Sequence, residues 1–434
     1  MIKTTRLLII GAGVAGQKTF EQIKKEGRSD IVIVGFIDDD IKKQGMKINN
    51  ISVIGTINDI PRLIKSERID QVLISTPSMG GEFITRITRL LPPGISIKVL
   101  PSISSVIMGK VDLSYVRDID SSDLIGRPLI KSNQKLIYKE TNKKSFLVTG
   151  GAGSIGSEIV RQLYDSKAKL IVVIDSWEEG VYNLLEELQT KQGAYRPQIK
   201  VFIGNIRDKK RIDEILNFFS IDVIIHAAAY KHLPLMENNP DEAWKTNYQG
   251  TKNLLDATIK HNIKDFVLIS TDKAVKPSCV MGKSKRAAEL FMKSYAKKHK
   301  KHRFCAVRFG NVLNSSGSII PKFLKQIQNR EAITITDINM TRYFMSIPEA
   351  VSLVLLSWII SKNGQILVLD MGEPVKIIDL ALNLIRIHGL EPYKDISIKE
   401  TGIRLGEKIH EDLFYNKQKI KSSFIEKIFI AEEI

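Results

Sequence analysis

The 434-residue chain is long enough for two or three domains, and 43% hydrophobic with 7% aromatic residues is ordinary for a globular protein with large cores. Lys and Arg outnumber Asp and Glu by 65 to 48, a formal charge of +17, which favours anionic partners (nucleotides, nucleic acid, a membrane surface) without choosing among them. Two cysteines, Cys279 and Cys305, with no C-x-x-C spacing argue against a disulfide framework and a structural zinc site, so no metal is expected and a reducing cytoplasm fits.

Leu7 to Ile10 is too short an apolar run for a signal peptide and reads as a buried strand. Gly11-Ala-Gly13-Val-Ala-Gly16 follows, then an amphipathic helix and a strand running into Asp38, Asp39 and Asp40. Such glycines serve a tight turn, close approach to a pyrophosphate and helix-to-strand packing, with an acid about 20 residues on for a ribose. This opening either binds a nucleotide or is structural, and the structural role is preferred because a Rossmann-like fold is not itself a function. Strand and helix signals continue to about residue 115, and Ser114 to Asn142 loses periodicity and reads as a connector.

A second opening begins at Ser145 and continues Gly150-Gly-Ala-Gly153-Ser154-Ile155-Gly156. The next strand, Leu170 to Ile174, ends at Asp175, whose carboxylate suits a ribose diol and repels a 2′-phosphate, so NAD is expected over NADP, with Arg161 able to offset the preference. Ala227, Ala228 and Ala229, after the strand Asp222 to His226, are small enough for a dinucleotide to lie against the backbone. The expected domains are therefore 1–115, a connector 116–143, and 144–434.

The segment "STDKAVKPSCVMGKSKRAAEL", residues 270 to 290, has the layout of a short-chain dehydrogenase catalytic segment, yet Met281 stands four residues before Lys285 where a tyrosine is usual. A thioether neither gives nor takes a proton. Lys293 to Arg303 is dense in lysine but lacks interleaved aromatics, which argues against nucleic acid; it reads as a solvated helix end, with contact to an anionic membrane surface as the other reading. Ala350 to Ile360 is about half of the roughly 20 residues a bilayer span needs and reads as a core helix.

Taken together, "TGGAGSIGSEIVRQL", "HAAAYKHLPLMENNPDEAWKTN", "STDKAVKPSCVMGKSKR", "RFGNVLNSSGSIIPKF" and "RLGEKIHEDLF" resemble the CapD-like polysaccharide biosynthesis family. Its members are UDP-N-acetylglucosamine 4,6-dehydratases of the PglF and WbpM type, and the resemblance covers nearly the whole chain, including the "SSDLIGRPLI" connector at Ser121 to Ile130. It implies an α/β fold of two Rossmann-like, doubly wound parallel-sheet domains, the second an extended short-chain dehydrogenase with a C-terminal substrate-binding portion. Larger members carry transmembrane helices ahead of the first domain, so a soluble or shortened form, or the cytoplasmic part of an anchored one, is implied. Extended short-chain dehydrogenases often pair through helices, which implies a homo-oligomer. Asn314 stands where a glycine is usual, Leu405 where a proline is usual, and Asn205, followed by Ile206, where an aspartate is common near the adenine.

The reaction so implied removes hydride from C4, eliminates water across C5 and C6 and returns the hydride to C6. It needs a base at C5, an acid at the C6 hydroxyl and donors on the developing O4 enolate. The resemblance assigns Asp272 as the acid, Lys273 as the base, Thr271 as the O4 partner and Lys285 as the nicotinamide-ribose ligand. Active PglF and WbpM types also carry methionine at the Met281 position and C5-inverting relatives carry tyrosine, which implies retention at C5. The base for the C4 hydroxyl is left between Asp272 and a water linked to Lys285. Lys231, His232, Asn311, Arg342, Arg404 and Glu407 resemble residues around the UDP-sugar, arginine suiting a pyrophosphate by its two-pronged geometry. The alternatives are a C5-inverting dehydratase, a UDP-sugar 4-epimerase and a catalytically silent NAD-binding regulator.

Overall fold

The computed structural model describes residues 4–76, 79–100, 116–119, 123, 133–191, 197–415 and 419–432. Of the expected connector motif at Ser121 to Ile130, all but Asp123 lies outside them. Two compact units are formed: Met1–Ile130 with Ile319–Ile338 and Lys376–Thr401, and Lys131–Ser318 with Asn339–Val375 and Gly402–Ile434.

In the first unit, strands β1 (Thr5–Ile10), β2 (Ile31–Ile37), β3 (Lys47–Ile48), β4 (Ile51–Gly55), β5 (Gln71–Ile74), β6 (Ser96–Val99) and β7 (Arg117–Asp118) form a sheet of order β3-β4-β2-β1-β5-β6-β7. The strands from β4 to β6 are parallel. They are mostly Val, Ile and Leu because helices such as Val14–Lys25 and Gly81–Leu90 cover them and both faces are buried.

The second unit is built on β8 (Ser145–Thr149), β9 (Leu170–Asp175), β10 (Gln198–Ile203), β11 (Val223–His226), β12 (Asp265–Ile269), β13 (Arg303–Arg308), β14 (Gln365–Leu369), β15 (Lys419–Ser422) and β16 (Ile428–Glu432). Their order is β10-β9-β8-β11-β12-β13-β14-β16-β15, parallel through β14 and antiparallel at the last two. The chain winds from β8 outward to β10, then crosses to β11 on the other side of β8. Such a reversal leaves a crevice at the carboxyl ends of β8 and β11, where open α/β sheets take ligands. The helix Ile347–Ile360 is buried against this unit, as its apolar run requires, with Trp358 1% exposed.

Within the expected connector the structure forms a regular helical element. Gln134–Thr141 is an α-helix burying Ile137 and Thr141. The segment is too short and polar for its periodicity to register, and packing against Ile347–Ile360 supplies its stability.

Candidate active site

The turn after β8 must fold back under the following helix. Gly150 takes φ +66°, a left-handed conformation that favours glycine, and a Cβ there would stand 2.5 Å from the Ala228 nitrogen. A Cβ on Gly156 would lie 2.0 Å from the Gly150 carbonyl oxygen. With Gly153 capping the helix Ser154–Asp165, the backbone forms a cradle whose N–H groups and helix dipole suit an anion. Ala228 presses on this turn, and Ala227 N–H donates to the Thr149 carbonyl (3.0 Å), so the alanine run follows the strand end.

Asp175 closes the other side. Its Oδ2 accepts from the Ala152 N–H (2.9 Å) and its Oδ1 from the Trp177 N–H (3.0 Å). Each oxygen keeps a free lone pair for a ribose hydroxyl, and no lysine or arginine pairs with the carboxylate among the described contacts. Arg161 is committed elsewhere, to Glu187 at 2.7 Å. Asn205 folds its side chain onto the Arg207 N–H (3.0 Å), and Ile206 is buried against Gly250. Cradle and carboxylate together fit a dinucleotide with an unphosphorylated ribose.

The first unit repeats the pattern with one difference. Gly11 has φ +102° and the Ala12 N–H donates to Asp38 Oδ2 (2.9 Å), but Lys43 Nζ also reaches that oxygen at 2.9 Å. Asp38 is already paired with a cation.

At the end of β12, Thr271 caps a short turn, Asp272–Ala274, that holds three polar side chains together. The Thr271 hydroxyl donates to Asp272 Oδ1 (2.8 Å), and Lys273 Nζ donates to the same oxygen (3.0 Å) and to Asn311 Oδ1 (3.2 Å). Asp272 is 1% exposed, and its Oδ2 has no hydrogen-bond partner among the described residues. Burial opposes a charge on Lys273, yet the carboxylates of Asp272 and Glu411 outweigh it against Arg342 and hold its pKa above the ordinary lysine value.

Lys285 is fixed on the helix Val280–Lys298, 5% exposed, with its Nζ donating to the Ile269 carbonyl at 2.6 Å. Burial pulls its pKa down to about 8. Met281, 4% exposed, packs with Met236, Ala243 and Cys279 in an apolar cluster.

Of the expected sugar-site residues, Asn311 joins the Thr271–Lys273 group. Lys231 and His232 meet the 315–318 loop: Lys231 Nζ donates to the Ser316 carbonyl (2.7 Å), and a Cβ on Gly317 would strike the His232 ring. Burial lowers both their pKa values, and Lys231 adds to the shift of His232. Asn314, where a glycine is usual, adopts φ +55°, a left-handed conformation that asparagine tolerates.

Arg342 is 7% exposed, and its guanidinium donates to the carbonyls of Thr341 (2.7 Å), Lys408 (2.9 Å) and Ile409 (3.0 Å) while lying 3.5 Å from Glu407. It therefore pins the 405–411 segment. Arg404 is exposed and Leu405 is 79% exposed. Glu411, which sequence reasoning passed over, is brought by that pinned segment to 3.7 Å from Lys273 Nζ. Its signal was only an acid near the end of "RLGEKIHEDLF", without a spacing rule to Lys273.

No metal-binding cluster occurs among the described residues, nor any helix long and apolar enough to cross a membrane.

Residues 146–433 match the model of a family described as polysaccharide biosynthesis protein, and residues 3–93 match that of a CoA-binding domain. The capsular polysaccharide biosynthesis protein CapD of Staphylococcus aureus is 40% identical, over 97% of this chain and 70% of its own length. A UDP-N-acetylglucosamine 4,6-dehydratase (inverting) of Campylobacter jejuni is 36% identical over 62% of this chain and 77% of its own. Among solved structures, Pen from Bacillus thuringiensis is 32% identical, with a TM-score of 0.62 over 67% of this chain and 88% of that one. With a Rossmann-type sheet, a glycine cradle and a lysine-bearing turn in the order short-chain dehydrogenases require, the chain belongs to the polysaccharide biosynthesis protein family.

Proposed function

We propose that this protein is a UDP-N-acetylglucosamine 4,6-dehydratase that retains configuration at C5, yielding UDP-2-acetamido-2,6-dideoxy-α-D-xylo-hexos-4-ulose. The observation that carries the reading is the contact of Thr271, Asp272 and Lys273 at one carboxylate oxygen, at the same carboxyl edge of the sheet as the nucleotide cradle. Epimerisation at C4 has no task for an acid and an amine so placed.

NAD is the cofactor this reading requires: Gly150, Gly153, Ser154 and Gly156 would hold its pyrophosphate, Asp175 its adenosine ribose and Lys285 its nicotinamide ribose. When bound, it takes hydride from C4 and returns it at C6.

The protons are handled by the chain. The Thr271 hydroxyl, which already donates to Asp272, passes the C4 hydroxyl proton to that carboxylate. This replaces the phenol that Met281 lacks. Asp272, now protonated, gives the proton to the C6 hydroxyl, which leaves as water. Lys273, as the free amine, takes the C5 proton and returns it to C5 once C6 is reduced. The cycle closes with Asp272 ionised and Lys273 neutral, and the only proton lost from the sugar leaves in the water.

A second reading, inversion at C5, draws on the Campylobacter jejuni relative, which is described as inverting. The test is incubation of purified protein with UDP-N-acetylglucosamine and no reductant. Mass spectrometry should find the loss of one water, and proton NMR should find C5 configuration retained. A 4-epimer alone would overturn the dehydratase reading, and an inverted C5 would favour the second.

A further inference from the structure

The residue in the reacting group that neither the motifs nor the assigned roles account for is Glu411. It lies 138 positions from Lys273 in sequence. It is nevertheless buried, its side chain 2% exposed, with Oε1 at 3.7 Å from Lys273 Nζ. Its other oxygen, Oε2, is buried and without a hydrogen-bond partner among the described residues. A buried carboxylate this poorly satisfied is costly to keep, and its ion-pair partner among the described residues is Lys273. The segment carrying it does not sit there by default: Arg342 spends its guanidinium on the carbonyls of Lys408 and Ile409, fixing the backbone just before Glu411.

We infer that Glu411 is a positioning residue that sets the strength of Lys273 as the C5 base, by stabilising the ammonium that forms as Lys273 takes the proton. The inference rests on the dehydratase reading for its catalytic meaning. Around Lys273 the charged and titratable groups are Asp272 at 3.0 Å, Glu411 at 3.7 Å, the Arg342 guanidinium, and the Cys279 thiol and Tyr343 phenol. Two anions against one cation leave the ammonium favoured, in agreement with the raised Lys273 pKa. A stronger conjugate base suits a C5–H that is acidified only by the neighbouring ketone, and its cost is that less of the lysine is free amine at neutral pH.

This cost gives opposite signs to two readouts. Removing one carboxylate at this distance should lower the lysine pKa by roughly 1–3 pH units. In Glu411→Gln, the acid limb of the kcat profile should therefore move to lower pH by that amount, while the alkaline plateau falls because the amine is weaker. KM for UDP-N-acetylglucosamine should change little. Glu411→Asp, which keeps the charge, should restore the limb in part.

The pH dependence of Lys273 acetylation by acetic anhydride, read by mass spectrometry on the NAD-loaded proteins, gives a measurement that does not need turnover. Its onset should move down by the same interval in Glu411→Gln. An unmoved labelling onset would overturn the inference, as would a uniform fall of kcat with an unmoved limb. If the wild type forms no dehydrated product while the labelling onset shifts, the dehydratase reading fails and the control of Lys273 by Glu411 stands.

Discussion

Lys273 Nζ lies 3.0 Å from Asp272 Oδ1, adjacent in sequence and joined through one short turn, so the proposed acid and base share a hydrogen bond before substrate arrives. With its pKa held above the ordinary value, Lys273 rests as the ammonium, whereas the proposed turnover needs the free amine. Activity should therefore rise with pH from about 6 into the alkaline range, up to about tenfold per unit while Lys273 stays mainly protonated. Initial rates of dehydration across that range check this, and a flat profile would contradict it. Lys273→Ala and Asp272→Asn should each lose about 10²–10⁴-fold in kcat while keeping NAD content unchanged.

The cradle makes a prediction that separates binding from chemistry. Gly150 has positive φ and no room for a methyl group before the Ala228 backbone. Gly150→Ala should lose bound dinucleotide altogether, read as absorbance released on denaturation. Asp175→Asn should keep an acceptor for one of the Ala152 and Trp177 N–H groups but give up the charge that suits a ribose diol and repels a 2′-phosphate, so the ratio of NAD to NADP affinity should fall about tenfold or more. An unchanged ratio would mean that Asp175 does not face the ribose.

Beneath the Asp272–Ala274 turn, Glu289 and Arg308 form a two-pronged ion pair at 2.7 and 2.6 Å, neither side chain more than 1% exposed, and Ser270 donates to the same carboxylate at 2.6 Å. The pair ties β13 and the helix Val280–Lys298 to the residue just before Thr271. Glu289→Ala would leave the arginine buried without its partner and should cost about 3–5 kcal/mol. Arg308→Met combined with Glu289→Leu should recover part of that, because neither member of the pair then stays buried alone, while Arg286 and the buried Lys285 still lose the Glu289 carboxylate. Urea unfolding of the three proteins measures both effects.

What could be read in advance follows the range of the contacts. Gly150 to Gly156 and Thr271 to Lys273 are each shaped by one local turn, so residue types at fixed spacing carry the geometry, and Met281 was visible as a departure for the same reason. Asn311 was placed at the sugar, and the fold brings it onto Lys273. For Arg342 the resemblance implies a diphosphate contact, and its Nη groups also donate to the carbonyls of Thr341, Lys408 and Ile409, a tertiary contact that no motif spacing shows. Glu411 was missed because its partner is held by tertiary packing, which no periodicity encodes. The helix Gln134–Thr141 was hidden similarly, since its stability comes from the neighbour it packs on.

Lys285 links the site to stability. Its folded pKa of about 8 is depressed by burial from the ordinary 10.5, so between these values the unfolded chain binds more protons than the folded one. Stability should accordingly increase as pH rises from about 8 to 10.5, by an amount on the order of 3 kcal/mol, and be lower by that amount below pH 8. Lys285→Met should flatten the slope. Urea midpoints at pH 7.5, 9 and 10 for both proteins decide it, and parallel curves would show that Lys285 titrates normally.

Met281 faces Met236, Ala243 and Cys279, and the proton route proposed here runs through Thr271 and Asp272 instead. A side chain that only fills space should be replaceable by another of like volume at a cost below about 1.5 kcal/mol. Met281→Leu should thus keep kcat within about threefold, whereas Thr271→Val, nearly isosteric but without the hydroxyl, should lose about 10²-fold or more. Comparing these two variants on UDP-N-acetylglucosamine separates packing from proton transfer at the position where a phenol is usual. If Met281→Leu is dead and Thr271→Val is active, the C4 proton does not pass through Thr271, and the methionine shapes the site in a way that packing volume alone does not describe.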